Sequence, residues 1–354
     1  MHNSKRLHGV NVMGSDNPNA IEVEPTMQGD FVTTEDTNKK AEQVFDANSY
    51  LNNWLKYNWY TITILFSFGG AITAVVLFLN QGISAIDIAI LVFMFILTGI
   101  GGEAGLHRLF AHKSYEVAKP IRILLAIAGS MFGEAPIIEY AAFHRHHHMF
   151  ADNLGDPHSP HYFDGKGLIA FIKNVWHAFW GWKYNTENNN LVRPEKITKD
   201  LLAEPEIVLI NQYFYWLVLA SFILPAFLGL ALTRTWQGAW TGFIWGGLFR
   251  RFVMIILADF VVRVLCHIIG TRPFLDQSKS FSTNLLILTI PTLGSSLHNT
   301  HHAFPDSATT SIDWWQLDLT GLLITSLEKT GLAWNVKRPT AKQIEVRRVA
   351  HVVR

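Results

Sequence analysis

WYTITILFSFGGAITAVVLFL, residues 59–79, runs for about 21 positions without a charged side chain. At 1.5 Å per residue a helix of that length crosses a hydrocarbon layer about 30 Å thick. After it, the break Asn80-Gln81-Gly82 leads into a second apolar run from Ile83 to Gly102, with Asp87 near its start, and Phe214 to Thr233 supplies a third. A fourth begins at Ala239 and is apolar to Phe249, but then carries Arg250, Arg251 and Asp259, with Arg263 just beyond. Charges at that depth are expected to face the bundle interior, or the helix to run on out of the membrane. The spans predicted are therefore 59–79, 83–102, 214–233 and 239–262, and the fold class is an all-α integral membrane protein. Ile123 to Phe132 and Leu285 to Leu293 are too short to cross and read as buried or interfacial helices.

Composition points the same way: 49% of the 354 residues are hydrophobic and 16% charged, where soluble domains carry about 25% charged. Lys+Arg 29 against Asp+Glu 28 leaves no basic excess for phosphate contacts, which excludes a nucleic-acid partner. The single cysteine, Cys266, excludes an internal disulfide or a thiolate cluster, so any metal must be held by N or O. Residues 1–50 are polar and aperiodic and read as a flexible tail, leaving 51–354 as one domain. Between spans two and three, and after span four, the chain is basic, whereas the other two connections hold almost no Lys or Arg apart from Arg234. The positive-inside rule places the basic segments and both termini in the cytoplasm of a bacterial inner membrane or of the endoplasmic reticulum. Trp176, Trp180 and Trp182 are spaced like an interfacial aromatic belt.

Sixteen histidines are the anomaly, and nine lie in three clusters: HRLFAH (His107, His112), HRHHH (His144, His146, His147, His148) and HNTHH (His298, His301, His302). Residues at i, i+3 and i+4 share a helix face, so His144, His147 and His148 can converge on one ion, and so can His298, His301 and His302. His107 and His112 lie about 140° apart on an ideal helix and suit an ion at a helix end, or two different ions. Imidazole without thiolate suits Fe, Zn, Cu or Ni. Two crossings separate the second box from the third, so all three boxes meet at one membrane surface. Eight or more ligands exceed one tetrahedral ion, and a two-metal site follows. His146 reads as an outer or exposed residue, and His2, His8 and His351 as solvated tail residues. Asp156, in GDPH, either orients a histidine or forms a turn.

The boxes and their flanks resemble the membrane fatty-acyl desaturases, in particular the delta-9 acyl branch. GLHRLFAHKSYE, AFHRHHHMFADNLGDPHSP, CHIIGTRPF, PTLGSSLHNTHHAFP and GLAWNVKRP carry the resemblance, which extends from about Trp54 to Pro339. It implies a four-helix anchor under a cytosolic helical cap, with two non-haem irons held by His107, His112, His144, His147, His148, His267, His298, His301 and His302. Only the resemblance points to His267. Where the family usually has Asn, four residues before it, this chain has Arg263; Asp259, one turn earlier, is its expected ion-pair partner. Glu103 and Ser295 also depart from the usual residues near the boxes.

The activity implied is O2-dependent insertion of a cis double bond, at carbon nine, into an acyl chain carried on CoA, acyl-carrier protein or lipid. Such a site can also be isolated with zinc in place of iron. A hydroxylase on the same scaffold is the alternative enzyme; a non-catalytic metal- or lipid-binding membrane protein is the alternative of another class. Without a haem, flavin or iron–sulfur motif, electrons must come from a separate protein such as cytochrome b5 or a ferredoxin with its reductase, docking on the cap. Leu91 and Phe95, at i and i+4 and three to four turns before His107, are expected to close the far end of the acyl tunnel.

Overall fold

The computed structural model describes residues 50–185 and 190–349, with side chains from Asn58 onward; nearly all of the expected tail, and His2, His8 and His351, lie outside them. Regular secondary structure among the described residues is almost wholly helical. Helix α1 is Tyr50–Gln81, α2 is Ala85–Ala111, α3 is Lys119–Phe132, α4 is Ile137–Phe150, α5 is Leu168–Phe179 and α6 is Phe214–Thr233. Helix α7 covers residues 236–262, α8 is His298–Ala303 and α9 is Leu319–Lys329. Two short strands, β1 (Glu116–Val117) and β2 (Ala333–Trp334), pair antiparallel with Val117 opposite Ala333.

Among the described residues three helices are long and apolar enough to cross a membrane: α1 from Asn58, α2, and α6. A bent pair, α3 with α4 at 80°, raises the number to four if it is taken as one span. Helix α1 shows why such a sequence seeks lipid: Leu65, Phe66, Ile72 and Leu79 are all exposed, while Thr63 and Ser67 turn inward and donate to carbonyls one turn back. At the start of α2, Ser84 caps the helix by accepting from the Asp87 amide at 3.1 Å and donates its hydroxyl to the Asp87 carboxylate at 2.6 Å, which accounts for a buried acid there.

Two helices depart from ideal winding. Gly101–Ala111 of α2 is π-helical, and the His112 amide donates to the His107 carbonyl five residues back at 3.1 Å. In α7 the segments Phe243–Phe249 and Ile255–Val262 are wound in the same way. Such turns are rare and concentrate at functional sites. Gly101 shows what holds the first in place: a Cβ there would lie 2.2 Å from the Ala128 backbone, so α2 and α3 touch main chain to main chain where only glycine fits. The expected short helix at Leu285 to Leu293 is instead a series of turns, with one 3₁₀ turn at Leu286–Leu288. Pro291 and the positive φ of Leu293 (54°) and Gly294 (105°) prevent helical continuation.

The segment bearing the third histidine box is fixed to the first by a fully buried ion pair. Arg108 donates from both terminal nitrogens to Asp318 at 2.8 Å, and Asp318 also accepts from the Thr310 and Gly321 amides, capping α9.

Candidate metal centre

Helix α2 ends with carbonyls that have no partner within the helix. Arg145, on α4, supplies one: its guanidinium donates to the Phe110 and Ala111 carbonyls at 2.7 and 2.8 Å, while Asp200 holds it bidentately at 2.8 Å. This anchors the second box against the first. Helix α8 brings the third box, and His267 arrives from the turn after α7.

All nine expected ligands come together, in two groups. One ring nitrogen from each of His107, His112, His144 and His301 lies within 4.8 Å of the others, and the same holds for His147, His267, His298 and His302. His148 Nε2 is 3.1 Å from His144 Nε2 and 2.9 Å from His301 Nε2, so it joins the first group, although its ring also stacks on His302 at 4.4 Å. This corrects the one-box, one-ion reading. The second and third boxes are each divided: His144 and His147 part company, and His301 separates from His298 and His302. The side-by-side groups exploit the angular gap between i and i+3, which helical spacing alone treats as one face. His107 and His112 in turn join one group because the chain between them is π-wound.

The rings face one another through Nε2, at 3.0 Å for His107 and His301, 2.6 Å for His112 and His144, and 2.9 Å for His267 and His298. Three of them are oriented from behind by carboxylates. His107 Nδ1 donates to Glu103 at 3.0 Å, His147 Nδ1 to Asp156 at 3.0 Å, and His267 Nδ1 to Asp152 at 2.6 Å. With the proton held at Nδ1, the Nε2 lone pairs point inward at each other, an arrangement that a cation between them stabilises. Burial first, then the neighbouring imidazoles, hold His112, His144, His148, His298, His301 and His302 well below the ordinary histidine range. They are therefore neutral, the form that binds metal. Burial would lower His267 as well, but Asp152 outweighs it and raises that group. His302 Nδ1 has no acceptor among the described residues. The all-nitrogen donor set and carboxylate backing fit two borderline transition-metal ions, iron included.

Asp156 orients His147 and also accepts the Asp152 and His158 amides. Asp152 escaped the sequence reading because its partner lies 115 residues away; it adopts φ 58°, a left-handed conformation that aspartate tolerates. His146 is buried, not exposed, and its Nε2 meets the Gly155 carbonyl at 3.1 Å. Arg263 pairs with Asp259 and also with Glu134, a partner that spacing could not show, and it lies 5.3 Å from the Trp182 ring. Trp182 is buried edge-on to His158 and does not belong to an interfacial belt; Trp176 is exposed and stacks on Trp180.

A cavity of about 740 Å³ opens onto His107, His144, His147, His267 and His298, with Tyr140, Trp182, Lys183 and Arg263 in its wall. A second, of about 290 Å³, shares Glu103, Ala258, Val262 and Ser295 with it and continues to Phe95, Gly99, Phe132, Met254 and Leu293. Leu91 does not line it; that side chain packs instead against the cluster of Phe222, Ile244 and Trp245. A third cavity, of about 780 Å³, reaches His148 and His302 from another direction, past Lys337, Arg338 and Arg347.

Residues 83–336 match the family described as "Fatty acid desaturase". Among characterised proteins, the chain is 40% identical over 285 residues to a hex-5-enoyl-[acyl-carrier protein] acetylenase of Moorena producens (strain JHB), covering 79% of this chain and 86% of that one. It is 30% identical over 288 residues to an sn-1 stearoyl-lipid 9-desaturase of Anabaena variabilis, covering 81% and 96%. To the human stearoyl-CoA desaturase it is 29% identical over 260 residues, covering 72% and 68%.

Proposed function

The chain belongs to the fatty acid desaturase family, and from that premise we propose that it is an O2-dependent acyl desaturase whose nine histidines hold two irons. The observation that carries this reading is the pair of histidine groups opening onto one cavity that continues into an apolar pocket. Bound iron supplies the oxidising power, drawn from O2 and two electrons, that removes hydrogen from an unactivated methylene. The balance is CH2–CH2 + O2 + 2 e⁻ + 2 H⁺ → CH=CH + 2 H2O. The chain itself orients His107, His147 and His267 through Glu103, Asp156 and Asp152, keeps the other imidazoles neutral, and offers a pocket in which one pair of carbons can be presented to the histidines. Purified protein can carry zinc, since nitrogen sites favour Zn over Fe(II).

Residues 236–262 form the fourth crossing in this reading. At about 40 Å the helix is long enough, and its charges point inward: Arg250 is buried and donates to Thr98 and Ser221 on α2 and α6. The histidine-bearing end is then a cytosolic cap, with both termini on that side. The third cavity supports a docking place for an acidic electron donor, cytochrome b5 or a ferredoxin with its reductase: Lys337, Arg338 and Arg347 rim it, and two candidate ligands lie within. The acyl group is carried on CoA, acyl-carrier protein or lipid. The Anabaena relative, a 9-desaturase, favours a delta-9 double bond. The Moorena relative favours a second reading, in which the same removal of two hydrogens from an existing double bond yields an alkyne.

The test is expression in a desaturase-deficient host, with double-bond position determined by mass spectrometry. New unsaturated acyl groups, lost in His301→Ala, are expected. A hydroxylated product alone, or an unchanged profile in protein with its metals bound, contradicts the proposal.

A further inference from the structure

We propose that the run of turns over residues 285–294 dips into the bilayer beside α2, so that one side of it meets the acyl chains of the surrounding lipid and the other lines the second cavity. The inference does not depend on the desaturase reading. It assigns a lipid contact to a stretch that is neither a long helix nor able to cross.

From Ser280 to Pro305 the chain carries no Asp, Glu, Lys or Arg. Within that run Ile287 is 89% exposed and Ile290 56%, with Leu286 exposed beside them. Adjoining large apolar side chains left open in this way mark a contact surface. Helix α1 treats Leu65, Phe66 and Ile72 alike along its apolar span. Three side chains are far fewer than the roughly 20–30 residues a side of a stable protein interface, so lipid suits this patch better than a second copy of the chain.

The polar groups of the segment turn the other way. Thr289, Thr292 and Ser296 are buried, and their hydroxyls donate to the carbonyls of Leu286, Leu288 and Leu285 at 3.0, 2.6 and 2.9 Å. The Leu285 amide donates to the Ser296 carbonyl and the Gly294 amide to the Thr289 carbonyl, both at 2.8 Å, and the Thr292 amide to the Leu288 carbonyl at 3.1 Å. Pro291 has no amide hydrogen to satisfy. Non-helical backbone is tolerated at membrane depth only when its polar groups are paired in this manner.

Depth is set by α2. A Cβ at Gly99 would lie 2.7 Å from Leu293 Cδ1, so the segment packs directly on that helix. Gly99 stands within the apolar span, three residues beyond Ile96, and Ile96, Phe93 and Val92 are exposed. Gly99 also precedes His107 by eight residues, which is about 12 Å along the helix. The Thr320 amide and hydroxyl hold the Leu293 carbonyl at 3.2 and 2.9 Å, tying the segment to α9. Pro291, Thr292 and Leu293 line the second cavity from the inner side.

The test places a nitroxide on Ile287→Cys in the full chain, in liposomes of phosphatidylcholine and phosphatidylglycerol, and measures its accessibility to O2 and to a water-soluble nickel chelate by EPR power saturation. Cys266 is buried, so the unsubstituted chain treated alike is the blank. Labels at Ile72 on α1 and at Glu345, exposed on the helix Ala341–Arg347, mark lipid and water. The Ile287 label is expected to behave as the Ile72 label does, with an O2-to-nickel ratio at least about tenfold above that at Glu345, because a polar chelate is excluded from hydrocarbon. Ile290→Cys should give the same result and serves if Ile287→Cys does not fold. Nickel accessibility equal to that at Glu345 overturns the inference. So does a label that neither reagent reaches, which would mean that protein, a second copy included, covers the segment. Neither result touches the desaturase reading.

Discussion

The two histidine groups are held by different means. His107, His112, His144, His148 and His301 project from helices or a helix end, and of these only His107 has a carboxylate behind it, Glu103. His147, His267, His298 and His302 depend on a turn: Asp152 and Asp156, in the loop after α4, fix two of the four rings, and the Asp152 amide donates to the Asp156 carboxylate. Altered winding in α2 does for the first group what hydrogen-bonded aspartates do for the second. Each group is therefore breakable by a change that spares the other.

The largest effects come from the ligands themselves. His301→Ala in the first group and His147→Ala in the second should each abolish turnover while the protein still inserts into membranes; activity surviving in one of them would show that a single group suffices. Smaller, and selective, is the loss of an orienting carboxylate. Asp152→Asn should weaken metal binding in the second group by about 10- to 100-fold and leave the first, and Glu103→Gln should do the reverse. Titration with Co(II), followed by absorbance, reads the two sites separately, and equal losses in both would erase the distinction. Gly101→Ala tests the winding. Overlap with the Ala128 backbone should cost about 1–3 kcal/mol, read as a lowered Tm, with disturbance confined to the first group. Smallest is Asp259→Ala: Glu134 still pairs with Arg263, so turnover should fall by about tenfold, the lower end of what one charged hydrogen bond contributes, and Asp259→Glu should be milder. If Asp259→Ala matches wild type, Glu134 alone holds the guanidinium.

The sequence reading carried furthest where a single local pattern decides the outcome. The Phe214 and Thr233 limits match the helix observed, and α1 outruns the predicted 59–79 at both ends because its flanking Asn and Gln accept helical geometry at an interface. All nine histidines that gather in the two groups are legible in the sequence, eight from spacing and His267 from resemblance alone. Their division was hidden, because ideal α-helical angles put i, i+3 and i+4 on one face and give no sign of π winding beyond the glycines at 101, 102 and 105. Asp152 and Glu134 were hidden for another reason: their partners are 115 and 129 residues away and meet only in the fold. Trp182 misled because a tryptophan near a membrane surface has the same spacing whether it faces lipid or a cavity.

Metal stoichiometry tests the central claim most directly. Anaerobic addition of Fe(II) to metal-free protein, with iron per chain and single-turnover product measured at each step, should saturate at two irons. Product should appear only as the second site fills. Full product yield at one iron per chain would contradict the account.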